Sequence, residues 1–444
     1  MPLLFSLGMT APAASEASAD EMPTIAITGD WQVQVSPGTV TQGRAHAQIA
    51  QAITLTVAPA TIVHVQDERY DALPLYDANA APWTRGAKLQ QLTTFETTAP
   101  DCLLPNTLVL KSRPGAGSPY TLGKDYALDP RWATIGRLAG GLMEGKPVWA
   151  DYDCGWGRLD TIAVSSRGKV RLVPGKAHNA TPRPPDLEKG EIPLANLWIA
   201  PLLPKLTADA LYPITEPTYP EPKQRRTPPA AMLLPKTWAK LRAGQPVHIL
   251  AWGDSVTAGG QASNPAHQYQ SRFVALLKTQ FPNATIRLTT AGWGGRNSDS
   301  FLKEPPGAPY NFESAVLAPR PDLIVMEFVN DAYMTPPVVE EKYASLQKRF
   351  AEIGAEWVIL TPHFVRPDWM GATSARVETD PRPYVAGVRE FTAKHHVALA
   401  DASLRWGHLL KEGIPYTTLL SNSINHPNDH GHELFAQALI ELFR

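Results

Sequence analysis

The sequence predicts a chain in two parts, an all-β half followed by a doubly wound α/β half. Three observations lead there. A length of 444 residues exceeds what one ordinary core organises. Up to about Pro201 the apolar pattern is short, β-branched and nearly alternating. From Lys236 onward, apolar strand-like runs alternate with segments of helical period, and this demands right-handed crossovers and a parallel sheet of about five strands with helices on both faces.

In the first half, residues 24–201, "QAITLTVAPATIVHVQ" alternates β-branched residues, and "NTLVLKS" and "KPVWADYD" repeat the style. "LDTIAVSSRGKVRLVPG" reads as two strands around a glycine-containing turn. The expectation is a sandwich or jelly-roll type of domain. Residues 202–235, with "LYPITEPTYPEPKQRRTPPAAMLLP", are Pro-rich and read as an extended connector.

In residues 236–444, "PVHILAW", "ATIRLTT", "DLIVMEFV", "EWVILTPH" and "VALADAS" read as strands. "HQYQSRFVALLKTQF", "NFESAVLAP", "VVEEKYASLQKRFAEIG", "PYVAGVREFTAKHH" and "GHELFAQALIELF" read as helices. In such a sheet the loops at the strand carboxyl ends share one rim. Along that rim lie Gly253-Asp254-Ser255, the loop Ala291 to Ser300, Asn330-Asp331, the loop Thr361 to Gly371, and "NSINHPNDHGH" before the last helix.

Composition narrows the classes of partner. A net charge of -1 gives no electrostatic ground for nucleic acid or an anionic membrane surface, and no run is long and apolar enough to suggest a membrane span. Cys102 and Cys154 are compatible with one disulfide, and no metal-ligand spacing such as C-x-x-C occurs. Residues 1–23 pair a short apolar run with a small-residue run but lack a basic start. They read as a leader or signal remnant, with a secreted or periplasmic protein expected and a cytoplasmic one left open.

Ser255, on a tight turn after a strand, needs a base to act as a nucleophile. His426, just before the last helix, is the leading candidate. An oxyanion needs preorganised donors, for which the Ser255 and Gly295 N–H groups and the Asn330 amide are placed to converge. Lacking a Cβ, Gly295 is expected to let its loop approach a substrate closely. Asp254 and Asp331 read as loop anchors.

On these residues the chain from about Lys236 resembles the SGNH (GDSL-type) hydrolases, esterases and carbohydrate O-deacetylases. The first block of that family matches "GDSVTAG", the second "GWGGRNS", the third "FVND" and the fifth "NHPNDHGH". The resemblance implies a flavodoxin-like three-layer α/β/α fold, with Ser255 as nucleophile, His426 as base, and Ser255, Gly295 and Asn330 as the oxyanion hole. It implies no metal and no cofactor. Two departures stand out. Phe328 occupies the usual glycine of the third block and is expected at the acyl-side wall. Ser423 occupies the usual aspartate three residues before the histidine, so the imidazole is left to Ser423, to a backbone carbonyl, or to a carboxylate reaching in from another loop, with Asp429 and Asp368 as suspects.

Trp293, Arg296, His363, Arg366 and Trp369 are candidate substrate contacts, because indoles stack on sugar rings and guanidinium groups grip carboxylates. The expected activity is therefore hydrolysis of a small acyl ester, acetyl on a glycan, through an acyl-enzyme, with no protein partner. The alternatives are a lysophospholipase or thioesterase, and a catalytically impaired glycan-binding protein.

Overall fold

A computed structural model describes residues 21–223 and 225–444. The leader reading of residues 1–23 falls almost entirely outside the described residues.

The β half is built from several small antiparallel sheets. The alternating runs become strands Ile53–Thr56, Thr61–Tyr70, Val109–Lys111 and Val148–Trp156. Arg158–Val164 and Val170–Val173 pair antiparallel around a turn with Gly168 at φ 77°. Two apolar clusters fill this half, one around Val33, Ile162 and Leu197, the other around Leu89, Leu110, Ile135 and Tyr152. Cys102 and Cys154 share the second cluster as free thiols. Burial pushes the Cys102 thiol up to about 12 and that of Cys154 up to about 11, so neither is a reactive thiolate at neutral pH.

The Pro-rich stretch is more ordered than its composition suggests. Leu211–Pro213 adds an edge strand to Ile192–Ile199 of the β half, and Pro229–Leu233 is a helical turn whose Ala230 sits in the α/β core. Backbone hydrogen bonds made by neighbouring segments outweigh the local preference for unpaired, extended chain.

The α/β half is a five-stranded parallel sheet of Val247–Gly253, Ile286–Gly292, Leu323–Glu327, Glu356–Leu360 and Ala398–Ala400, in spatial order second, first, third, fourth, fifth. Alternation along the first strand sends Val247 and Ile249 to one face and Leu250 and Trp252 to the other. Helices Tyr269–Gln280 and Asp429–Glu441 cover the first face, and Pro336–Glu352 and Pro383–His395 cover the second. Two details depart from the sequence reading. The run "NFESAVLAP" holds only a short π-turn, Glu313–Leu317. The last strand stops at Ala400, where Asp401 leads into a helix, Ala402–His408, that the sequence pattern did not reveal. The strand order reverses between the first and third strands, and open sheets of this type bind ligands outside that point.

Candidate active site

Ser255 follows the first strand directly. Gly253 is required there, because a Cβ would collide with Thr257 and with the Glu327 carbonyl. Asp254 is fully buried, and its two carboxylate oxygens accept the Val256 and Asn330 N–H groups at 3.0 Å each. The turn after the first strand is thereby tied to the loop after the third.

The glycine loop lies beside it. Gly295 has φ 70°, and a Cβ placed on it would meet nothing within 4 Å. Glycine is favoured there for its backbone angle. A Cβ on Gly294 would stand 3.9 Å from that of Ser255, an ordinary contact. The Asn330 amide donates to the Arg296 carbonyl at 3.1 Å, which fixes it between the two loops. Asp331 anchors the same region by accepting from the Ser298 N–H at 3.0 Å and hydroxyl at 3.1 Å.

His426 closes the arrangement, with Nε2 2.8 Å from the Ser255 hydroxyl oxygen. Its loop is held from several sides. The Asn422 side-chain oxygen accepts the N–H groups of Ile424, Asn425 and His426 at 3.0, 2.9 and 2.9 Å. His363 Nε2 donates to the Asn425 carbonyl at 2.5 Å, and the Arg366 N–H donates to the Ile424 carbonyl at 2.7 Å. His363 is fully buried and its pKa lies well below the usual imidazole range, so it is a neutral loop anchor.

None of the three side chains suspected of orienting the imidazole reaches it. Asp429 accepts from the Ser263 N–H and hydroxyl at 2.8 and 2.7 Å and pairs with His267 at 2.7 Å. Asp368 is taken by the Arg366 guanidinium at 2.5 and 2.8 Å. Ser423, at φ 57°, lines a neighbouring cavity.

The carboxylate at the imidazole comes instead from the β half. Glu96 Oε2 lies 3.0 Å from His426 Nδ1. Nδ1 has no well-aligned hydrogen-bond acceptor, so the carboxylate approaches the imidazole obliquely, as a close electrostatic contact. Glu96 sits in a tight turn closed by Thr94 and Thr97, whose hydroxyls are 2.8 Å apart. The Thr97 hydroxyl also donates to the Asn422 carbonyl at 2.5 Å, docking the turn on the histidine loop. Burial holds the His426 pKa below its ordinary value, and the Glu96 charge opposes part of that shift.

A cavity of about 290 Å³ opens at Ser255, Gly294, Gly295, Asn330 and His426, and Trp369 lines it with Trp83, Glu96, Asn422 and Asn425. Of the five candidate substrate contacts only Trp369 lies there. Trp293 is stacked on Tyr310 with ring centroids 4.6 Å apart, and the Arg296 guanidinium covers it at 5.1 Å. Arg366 faces Trp132 and Trp369 at 5.4 and 5.8 Å. Phe328 is also displaced from its expected place: it is fully buried against Trp252, 5.0 Å between centroids, and contributes to the core. Among the described residues no cluster of His, Cys, Asp and Glu has the arrangement of a metal site, and no helix is long and apolar enough to cross a membrane.

Beneath the site three carboxyl groups are buried together, Asp254, Glu327 and Asp331. Burial pushes Asp254 up to about 7, Asp331 up to about 6, and Glu327 well above the carboxylate range. Asp254 receives two backbone N–H groups and so favours its ionised form, whereas Glu327 Oε1 has no partner. Glu327 therefore carries the proton. A carboxyl with a raised folded-state pKa contributes stability that is complete below its unfolded value, near about 4.3, and is lost as pH rises towards the folded one. Glu327→Gln is accordingly expected to flatten the fall in stability between about pH 5 and 8, by up to about 1.4 kcal/mol per pH unit. Denaturant titrations of both proteins at the two pH values measure it, and parallel slopes would refute the assignment.

Residues 251–434 match the sequence model of the GDSL-like Lipase/Acylhydrolase family. Comparison with curated proteins gives no match. Among solved structures, a two-domain esterase (CEX) active on acetylated mannans is 20% identical, with TM-score 0.39 over 48% of this chain and 52% of that one. A mutant of Axe2, a Geobacillus acetyl-xylooligosaccharide esterase, is 19% identical, with TM-score 0.35 over 44% of this chain and 92% of that one. LAE5, an α/β hydrolase enzyme from the metagenome of Lake Arreo, Spain, is 20% identical, with TM-score 0.35 over 44% of this chain and 94% of that one. The chain thus spans about half the length of the two-domain esterase. The family likeness in sequence is confined to residues 251–434, a little under half of the chain.

Proposed function

We propose that the protein is a serine esterase that removes small acyl groups, acetyl foremost, from a carbohydrate. The observation that carries this reading is the chain of contacts from the Ser255 hydroxyl through the His426 imidazole to the Glu96 carboxylate, at 2.8 and 3.0 Å. With Glu96 beside Nδ1, the favoured tautomer bears its proton there and leaves Nε2 free to accept from Ser255. In the first step Ser255 Oγ bonds to the acyl carbon as its proton passes to Nε2. The Ser255 and Gly295 N–H groups and the Asn330 amide receive the oxyanion. His426 then gives the proton to the departing alcohol oxygen as the ester bond breaks. Water, deprotonated by the same imidazole, releases the acyl group as acid and restores Ser255.

The cavity supports a small acyl group. Its volume of about 290 Å³ equals that of roughly ten water molecules. The lining beside the nucleophile, Ser255, Gly294, Gly295 and Asn330, is polar and glycine-rich and offers a long acyl tail no apolar wall. An inactive binding protein is suggested by the absent aspartate alone, and the Glu96 carboxylate beside Nδ1 argues against it.

Acetate release from a panel of acetylated polysaccharides, with wild type and Ser255→Ala side by side, is the test. Release by the wild type and its loss in the variant are expected. Long-chain esters hydrolysed in preference to acetyl, or no serine-dependent turnover, would overturn the reading.

A further inference from the structure

We propose that Trp83 and Trp369, one from each half of the chain, form a subsite that packs against the ring of the leaving-group sugar; the inference rests on the carbohydrate-esterase reading above. The lining of the cavity divides by chemistry. Ser255, Gly294, Gly295 and Asn330 hold the acyl carbon and its oxyanion. His426 must protonate the departing oxygen, so the alcohol lies among the residues that share the cavity with it: Trp83, Trp369, Glu96 and Asn425.

The two indoles stand 6.3 Å apart between centroids and are inclined at 58°. They make a corner and leave ring face uncovered, and Trp369 is 50% exposed. Exposed tryptophan normally costs solvation, yet this one is held in place. Trp83 rests on Trp132 at 5.0 Å. The Arg366 guanidinium spans Trp132 and Trp369 at 5.4 and 5.8 Å and is itself fixed by both oxygens of Asp368. The aromatic corner is thus set before a ligand arrives, which lowers the ordering cost of binding. A pyranose ring suits such a corner, because its C–H face packs on an indole while its hydroxyl edge meets the amides and the carboxylate around it.

Arg366 and Asp368 do not line the cavity; on this reading they are positioning residues for Trp369. The subsite also gives the β half a second role beside the supply of Glu96.

The test compares KM and kcat on an acetylated oligosaccharide cleaved by the wild type with those on p-nitrophenyl acetate, for wild type, Trp83→Ala, Trp369→Ala and Trp369→Phe. Each alanine variant is expected to raise KM for the oligosaccharide about five- to tenfold. The ratio of oligosaccharide to p-nitrophenyl acetate kcat/KM should fall by a similar factor, with the phenylalanine variant recovering most of it. A parallel loss on both substrates would mean a structural role and overturn the subsite, as would an unchanged oligosaccharide KM; in either case the esterase reading stands. If the wild type cleaves p-nitrophenyl acetate but no acetylated glycan, the carbohydrate reading and the subsite fall together.

Discussion

Replacing Glu96 with glutamine is expected to lower kcat/KM on p-nitrophenyl acetate by about 10²- to 10³-fold. A group in this position fixes the tautomer of the base and stabilises the imidazolium that forms when Ser255 is deprotonated. The Glu96 side chain is 49% exposed. Solvent therefore screens part of its charge, and the loss should fall short of that at a buried triad. The pH profile separates this role from a structural one. The base must be neutral to work, so the acid limb of kcat/KM follows the His426 pKa, which burial holds below the ordinary imidazole value. Glu96 raises that pKa, and its removal must move the limb to still lower pH. A glutamate that merely supports the loop would depress the rate and leave the limb where it was.

The larger effect is expected at Ser255. Ser255→Ala should lower kcat on the same ester by about 10⁴- to 10⁶-fold, and His426→Ala by a comparable factor. Residues that act as one unit lose their effect together, so the paired variant should be no slower than either single one. Both side chains lie on loops fixed by many backbone hydrogen bonds, with Asn422 alone accepting three N–H groups around His426. Each variant should therefore fold, and unchanged thermal midpoints with lost turnover would show that the chemistry has been removed.

Much of this arrangement is legible in the chain. The alternation of Val247, Ile249, Leu250 and Trp252 between two faces announces a strand buried on both sides, and the elements after it repeat at the spacing of a parallel α/β sheet. The loops carrying Ser255, Gly295, Asn330 and His426 follow from that order, since strand ends share a rim. Glu96 was not legible. It lies in "TTFETTAP", a polar turn with no local signature, more than three hundred positions before its partner, and only the packing of the β half against the histidine loop brings it there. The acids nearest to the histidine in loop position, Asp429 and Asp368, have partners of their own in His267 and Arg366. Trp83 was invisible for the same reason. Phe328 and Trp293 were read by loop position, and hydrophobic burial decided their direction instead.

The central claim is that Glu96 of the β half acts on the ester through His426. The most direct test is a double-mutant cycle on p-nitrophenyl acetate, with Glu96→Gln made in the wild type and in His426→Ala. A loss of about 10²-fold or more in the first background and none in the second is the predicted result. Equal losses in both backgrounds would contradict it, because Glu96 would then be acting on something other than the imidazole beside it.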